Sequence, residues 1–167
     1  MYSSMFTLMY HVCLRASEVI LTESPQHILQ ISQLIPHHHN NSYELIFNTY
    51  KHSTTSSTNI HVMPTGTTDC PVTTLSKYLQ VRGSTTGPLY IHKGSPITRP
   101  QFIKILHTCL EYAQIPSGNY NTHSFRIGRT TDMASANVPH STIQKLGRWK
   151  SNAYLKYIRP ETITTNP

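Results

Sequence analysis

Carboxylates are scarce in this sequence. Asp and Glu account for only 7 of its 167 residues, and Asp69 and Asp132 are its only aspartates. A catalytic pair of metal ions needs several carboxylate ligands in one place, so this composition argues against two-metal chemistry. The chain nevertheless carries a formal net charge of +7, because Lys and Arg together number 14. Its length fits a single domain with a core large enough to fold.

Cysteines and long apolar runs are also scarce. The three cysteines, Cys13, Cys70 and Cys109, lie far apart without a CxxC spacing, which argues against a structural zinc site or a disulfide framework. No apolar run is long enough to predict a membrane span. The apolar start, Met1 to Val12, lacks the basic beginning and the cleavage site of a secretory signal. These features predict an intracellular protein with reduced thiols.

Three adjacent histidines, His37, His38 and His39, raise the question of a metal site. They lie in a polar segment between Pro36 and Asn40. Adjacent side chains in such a segment do not converge on one ion as ligands on a designed scaffold do. We therefore expect a solvated loop here and predict no metal ligand or cofactor.

Positive charge is concentrated toward the C-terminus. The basic residues of segment 123–167 are Arg126, Arg129, Lys145, Arg148, Lys150, Lys156 and Arg159. With two acidic residues, the segment has a net charge of +5, which leaves +2 for residues 1–122. Such a basic segment is typical of a surface that binds a polyanion, although solubility alone also explains surface charge.

Apolar periodicity and turn residues predict a mixed α/β protein, mainly α-helical with a small antiparallel sheet. Helices are predicted over residues 2–20, 70–81, 98–113, 123–136, 140–146 and 151–158. Strands are predicted over 27–35, 43–50 and 59–63, with a further extended run at 88–92. The polar residues 51–58 are predicted to form the tip of the hairpin between the second and third strands.

Two motifs place cations where a phosphate could bind. His123 and Arg126 share a helix face at a predicted helix N-terminus, where backbone N–H groups also favour anions. Arg15 follows an apolar stretch, where a lone cation is costly unless it is paired or binds an anion. The alternatives are surface or capping roles for the first pair, and a structural ion pair between Arg15 and Glu18 for the second. Lys51, at the hairpin tip, is on its own an ordinary turn lysine.

An aromatic cluster follows near the C-terminus. Trp149 offers an indole N–H that donates and cannot accept. A tyrosine near arginines, such as Tyr154 or Tyr157, could attack phosphorus as its phenolate. The alternative is that Trp149 is a core anchor and the tyrosines pack beside it, which is the better interpretation for Tyr154.

Taken in order, these motifs resemble the catalytic domain of tyrosine recombinases, the phage-integrase family. The resemblance lies in CLRASEV around Arg15, the hairpin Lys51, HSFR at 123–126, LGRW at 146–149 and YIR at 157–159. The segments GPLYIHKGSPITR, YNTHSFRIG and LGRWKSNAYLKYIRP look closest to recombinases of eukaryotic mobile elements, the Crypton- and DIRS-like group. The resemblance implies this family's catalytic-domain fold over residues 1–160, incomplete at its N-terminus. We expect the tail at 161–167 to be disordered.

The resemblance also implies a role for each motif residue. Arg15 and Arg126 would bind the non-bridging oxygens of the scissile phosphate. Tyr157 would be the nucleophile that forms a 3′-phosphotyrosyl bond, and Lys51 would protonate the leaving 5′-oxygen. His123 would help to activate the nucleophile or hold the phosphate. Trp149 stands where many relatives have a second histidine and would donate its indole N–H to a phosphate oxygen. Only Tyr157, unlike Tyr154, precedes the Ile-Arg pair that follows the family's nucleophile.

The sequence departs from the family pattern at several positions. Only 14 residues precede Arg15, which is too few for the first helices of the family's catalytic domain. Cys13 stands where Gly is common, His52 and Ser53 follow Lys51 where Thr-Asp is frequent, and Arg129 replaces a small residue. The first departure bears most directly on whether the chain acts by itself.

Two functions of different classes follow. The first is a site-specific DNA recombinase or integrase that needs no cofactor, acts on double-stranded DNA, forms a homotetramer on it, and works in the nucleus if the host is eukaryotic. The second is a fragmentary or domesticated module that holds DNA or a protein without cutting. A type IB topoisomerase shares the Arg, Lys and Tyr chemistry, but the spacing of HSFR, LGRW and YIR matches recombinases better.

Overall fold

The structure, a computed structural model, describes residues 1–23, 25–48, 57–83 and 85–159. Its α-helices are α1 (Tyr2–His11), α2 (Ala16–Val19), α3 (Pro71–Arg82), α4 (Arg99–Tyr112), α5 (Ser124–Ser135) and α6 (His140–Leu146). Its strands are β1 (Leu34–His37), β2 (Ser42–Phe47), β3 (Thr58–Val62), β4 (Ile91–His92) and β5 (Ser95–Pro96). The predicted class, mainly helical with a small antiparallel sheet, is confirmed. Lys51 and the tail 161–167 lie outside the described residues.

The main sheet is antiparallel in the order β1-β2-β3. Leu45 on the central strand lies opposite Leu34 on one side and Ile60 on the other. Because residues directly opposite one another on neighbouring strands point to the same face of a sheet, this register places three apolar side chains on the same side, and all three are buried. The predicted hairpin of β2 and β3 is therefore present, and it packs one face on the core.

The predicted single helix over residues 2–20 is wrong, because the chain breaks between α1 and α2. Cys13 adopts a left-handed conformation with φ of 52°, which ends α1, and Leu14 N–H then turns back to the Met9 carbonyl at 3.1 Å. Arg15 is extended and becomes the N-cap residue of α2. Helical periodicity alone did not predict the break, because the apolar pattern continues through it.

The predicted strand over residues 27–35 is also largely wrong. The chain instead forms short 3-10 helices at Pro25–His27 and Ile31–Gln33, and β1 begins only at Leu34. Backbone N–H groups here bond to other segments: Leu29 N–H donates to the Glu18 carbonyl at 2.9 Å. Of the three histidines expected in a solvated loop, His38 and His39 are exposed in a 3-10 turn, whereas His37 is half-buried and ends β1, so the loop prediction is wrong for it.

The later helices follow the prediction more closely. Helix α3 begins with Pro71, a favourable first residue, and ends at Gly83, whose φ of 76° favours glycine. Thr98 caps α4 by accepting a hydrogen bond from Gln101 N–H. The last predicted helix is a 3-10 helix, Asn152–Tyr157, rather than an α-helix.

Two apolar clusters position the remaining elements. The larger one joins α1, α3, α4 and the main sheet, and includes Leu8, Leu75 and Phe102. The smaller one holds Met133 of α5 and Ile143 of α6, with the last 3-10 helix packed on them. Helix α5 also contacts α1, so α2 and the last 3-10 helix are held near each other. None of the described helices is long and apolar enough to cross a bilayer.

Candidate active site

Arg15 is both a structural ion-pair residue and a wall of a cavity. Its backbone N–H donates to Glu18 Oε2 at 2.7 Å, and its Nη1 donates to Glu18 Oε1 at 3.2 Å. Its Nη2 donates to the Arg148 carbonyl at 3.2 Å. The side chain keeps 18% of its surface exposed. The ion pair with Glu18 that the sequence suggested is therefore present, and it fixes a guanidinium that still faces open space.

Glu18 holds a second arginine, Arg148, which the sequence reasoning missed. Arg148 Nη2 donates to Glu18 Oε2 at 2.6 Å, and each side chain is only 1% exposed. Burial alone would raise the pKa of the Glu18 carboxyl, but the charges of Arg148 and Arg15 hold it below its ordinary value. The Arg148 guanidinium carbon also lies 4.1 Å from the centre of the Phe47 ring. Glu18 therefore orients two cations from segments far apart in sequence.

Arg126 lies in the first turn of α5 and is almost completely buried, with 2% of its surface exposed. Its Nη1 donates to the Cys13 carbonyl, and its Nη2 donates to the Gly147 carbonyl at 3.0 Å. Burial, and then the nearby charge of Arg15, lowers the pKa of Arg126 to about 10. It therefore remains a cation at neutral pH, in a place where a positive charge lacks the solvation that water would give it.

The indole of Trp149 covers this guanidinium. The Arg126 guanidinium carbon lies 4.2 Å from the Trp149 ring centre, a cation–π distance. The Tyr157 ring centre is 5.2 Å from the Trp149 ring. Gly147 permits this arrangement, because a Cβ there would meet the indole ring at 1.6 Å. Trp149 therefore packs as part of the smaller cluster and also lies beside Tyr157, which was proposed as the nucleophile.

His123 and Tyr157 face one another across the same space. His123 immediately precedes α5, and its ring centre lies 6.4 Å from that of Tyr157. Partial burial, followed by the charges of Arg126 and Arg99, lowers the pKa of His123. Tyr157 ends the last 3-10 helix, and Thr131 of α5 donates its hydroxyl to the Tyr157 carbonyl at 3.2 Å. This bond ties the tyrosine to the helix that carries Arg126.

Tyr154 is placed differently from Tyr157. It is buried in the smaller cluster, and its hydroxyl is 2.7 Å from Nδ1 of His140. It lines neither of the two cavities described below. Its position is that of the core residue favoured for it from the sequence.

Tyr157 lines two cavities. One, of about 580 Å³, is lined by Arg15, His27, Arg99, His123, Arg126 and Tyr157, among others. The other, of about 600 Å³, is lined by Arg15, Arg148, Trp149, Lys150, Lys156 and Tyr157, among others. Arg15 and Tyr157 line both, so five of the six site residues expected from the sequence meet here. The sixth, Lys51, lies outside the described residues.

The arrangement places two guanidinium groups, an imidazole and a tyrosine in the wall of one cavity. Guanidinium groups suit phosphate oxygens, and their positions are fixed before any ligand binds. Within the described ranges no group of three or more His, Cys, Asp or Glu side chains could hold a metal ion. Arg99 and His27 also belong to the cavity wall, although no motif in the sequence signalled them.

Comparison with solved structures identifies the fold as that of the catalytic domain of tyrosine recombinases. No protein-family model and no curated protein sequence matches the chain. The XerH site-specific recombinase, solved with its difH substrate in a post-cleavage complex, matches with a TM-score of 0.69 and 15% identity, over 93% of this chain and 41% of that one.

The Tn1549 transposon integrase, solved with circular intermediate DNA, matches with a TM-score of 0.59 and 12% identity. That match covers 93% of this chain and 52% of the integrase chain. The chain therefore spans about half the length of the solved proteins that it resembles.

Proposed function

We propose that this chain is the catalytic domain of a site-specific DNA recombinase or integrase, which cuts and rejoins strands through a 3′-phosphotyrosyl intermediate. One observation carries the proposal: the Tyr157 side chain lines the same cavity as Arg15, Arg126 and His123. A tyrosine beside fixed guanidinium groups is what an attack on a phosphodiester requires. The fold shared with XerH and the Tn1549 integrase supports the same reaction class.

The proposed reaction moves two bonds at one phosphorus. The phenolic oxygen of Tyr157 loses its proton and forms a new bond to phosphorus, while the bond to the 5′-oxygen breaks. Lys51 supplies the proton that the leaving 5′-oxygen takes. The second step reverses these bonds with a 5′-hydroxyl as the attacking group, so the energy of the broken bond is kept for rejoining.

The other residues of the two cavities have separate roles in this reaction. Arg15 and Arg126 stabilise the negative charge that builds on the phosphate oxygens. Burial and the charges of Arg126 and Arg99 lower the pKa of His123, which favours the neutral imidazole that can accept the Tyr157 proton. Trp149 fixes Arg126 from one side and presents its indole N–H toward a phosphate oxygen.

The substrate is double-stranded DNA, and the active form is a homotetramer holding two duplexes. We place the chain among recombinases of mobile elements, with the Crypton- and DIRS-like group as the nearest relatives, and its work in the nucleus of a eukaryotic host. The basic second cavity, with Lys150 and Lys156 in its wall, supports DNA as the ligand.

Covalent capture tests the proposal. The chain is incubated with nicked duplexes of randomised sequence, from which the cleaved fragment diffuses away, and adducts are counted on a denaturing gel. We expect an adduct with the wild type and with Tyr154→Phe, and none with Tyr157→Phe. Tyr154→Phe is the matched control, because it removes one phenolic hydroxyl from the same 3-10 helix. An adduct that survives Tyr157→Phe would contradict the assignment.

The burial of Arg126 favours a second function, a module that holds DNA without cutting it. Both Nη atoms of Arg126 already donate to backbone carbonyls, and its surface is 2% exposed. A guanidinium whose N–H groups already donate to carbonyls has fewer N–H donors left for phosphate oxygens than an unpaired one. Salt-sensitive DNA binding without any adduct would favour this second function.

A further inference from the structure

The first cavity holds more nitrogen-bearing side chains than the two arginines assigned to the scissile phosphate. Arg15 and Arg126 are the pair proposed for the scissile phosphate, and the same wall also carries Arg99 and His27. Glu23 is the only carboxylate among the described residues that line this space. Neither Arg99 nor His27 has a part in the chemistry proposed above.

Backbone pairing fixes Arg99 at this wall. Leu21 N–H donates to the Ile97 carbonyl at 2.7 Å, and Leu21 forms a parallel bridge with Thr98. The segment after α2 is thus joined directly to the start of α4, whose first residue is Arg99. The Thr98 hydroxyl already caps this helix by accepting from Gln101 N–H. One N–H of the helix end is therefore already paired, and the exposed Arg99 side chain adds a full positive charge to the wall.

Two nitrogen atoms at this wall are buried and have no hydrogen-bond partner in the part of the chain that is described. They are Nδ1 of His27 and Nε of Arg126. Buried polar atoms are nearly always paired. Nε of Arg129 and of Arg148 are unpaired in the same way outside this cavity, and Arg126 is already assigned to the first phosphate, so Nδ1 of His27 is the atom that points to a further partner here. Arg99 also reaches this space electrostatically, since its charge adds to burial and to Arg126 in lowering the pKa of His123. The cavity therefore favours an anion beyond the first arginine pair.

We propose that Arg99 and His27 form a second phosphate-binding site in this cavity, beside the site of the scissile phosphate. Its ligand is a neighbouring phosphate of the same DNA strand, where phosphates repeat about every 3.4 Å along the helix axis. The cavity volume of about 580 Å³ is in the range of pockets that enclose ligands much larger than one phosphate. The inference rests on the proposed function in one respect only, which is that DNA occupies the cavity.

The salt dependence of DNA binding tests this site. The dissociation constant for a fluorescent duplex is measured from low to moderate salt in the Tyr157→Phe background, where no covalent adduct is expected. Losing one phosphate contact should lower the slope of log Kd against log salt by about 0.9. We expect this loss in Arg99→Ala and an unchanged slope in Arg99→Lys. Lys104→Ala is the matched control, because Lys104 is an exposed cation on the same helix and should also leave the slope unchanged.

An unchanged slope in Arg99→Ala would overturn the proposal, and so would an equal loss of slope in Lys104→Ala. If Arg99→Ala unfolds, Arg99→Gln is measured in its place. His27→Gln should weaken binding in the starting background and much less in Arg99→Ala, because both residues would hold one phosphate. Additive effects would remove His27 from the site.

This readout needs no strand cleavage, so the two proposals fail separately. A lowered slope in Arg99→Ala, in a chain whose wild type forms no adduct, supports the second phosphate site and contradicts the recombinase. An adduct on Tyr157 with an unchanged slope in Arg99→Ala supports the recombinase and contradicts the second phosphate site.

Discussion

The buried carboxylate of Glu18 offers the sharpest test of how the site is built. The change Glu18→Gln keeps the size of the side chain and removes its charge. Gln still accepts a hydrogen bond from the Arg15 N–H, so the start of α2 is kept. What is lost is the negative charge that lies 2.6 Å from Arg148 Nη2 and 3.2 Å from Arg15 Nη1.

The size of the expected loss in unfolding free energy depends on how deeply the ion pairs of Glu18 are buried. Breaking a buried ion pair by removing one partner costs about 3–5 kcal/mol, because the other charge is left without compensation in a poorly solvated place. Arg148 is only 1% exposed and accounts for most of this cost. Arg15 is 18% exposed, so water compensates part of its loss. We therefore expect the free energy of unfolding to fall by about 3–5 kcal/mol in Glu18→Gln.

Urea unfolding, followed by the fluorescence of the single tryptophan and by circular dichroism, measures this loss. Glu111→Gln is the control, because Glu111 is exposed on α4 and its substitution should change the unfolding free energy by less than about 0.5 kcal/mol. A loss below about 1 kcal/mol in Glu18→Gln would refute the claim that this carboxylate holds both arginines.

The same pair sets a pH dependence. Because the pKa of Glu18 is lower in the folded chain than its ordinary value of 4.5, the stability from ionised Glu18 is fully present above pH 4.5 and is lost as pH falls through the folded pKa. The difference in unfolding free energy between wild type and Glu18→Gln should therefore stay constant from pH 7 down to about pH 5 and shrink below that. A difference that grows on acidification would contradict the assigned direction.

Two further predictions concern the cavity. Gly147→Ala should displace the indole of Trp149, because the added Cβ would lie 1.6 Å from the ring, so the tryptophan fluorescence spectrum should shift. Gly118→Ala is the control, because a Cβ there meets nothing within 4 Å, and it should leave the spectrum unchanged. The pKa of His123, measured by NMR titration, should lie below its ordinary value of 6.5. It should rise toward 6.5 in Arg99→Ala, because the Arg99 charge contributes to the lowering. An equal or lower pKa in that variant would contradict the closeness of Arg99 to His123.

Much of the fold follows from local signals in the sequence. Helix α3 was predictable because Pro71 and Gly83 mark its ends, and β2 with β3 because two β-rich runs flank a polar tip. The segments predicted wrongly are those whose backbone groups bond to distant parts of the chain. Leu29, placed in a predicted strand, instead donates to Glu18 and accepts from Leu89 at 2.6 Å, and no local pattern contains that information.

The site was predicted through its motifs rather than its geometry. Arg126 reaches a carbonyl 113 positions away in Cys13, and such contacts depend on how helices pack, not on periodicity. Arg148 stood in the LGRW motif, but its role emerges only with the burial of Glu18. Arg99 opens a helix with an ordinary apolar face, so its place in the cavity depends on the pairing of Leu21 with Thr98.

Identifying the protein atom that becomes joined to DNA tests most directly the proposal that Tyr157 is the nucleophile. Adducts formed on nicked duplexes can be digested with nuclease and protease and sequenced by tandem mass spectrometry. We expect a nucleotide joined through its 3′-phosphate to the phenolic oxygen of Tyr157, with Tyr154 unmodified. A nucleotide on Tyr154 or on any other residue, or strand cleavage that leaves no protein-bound nucleotide, would contradict it.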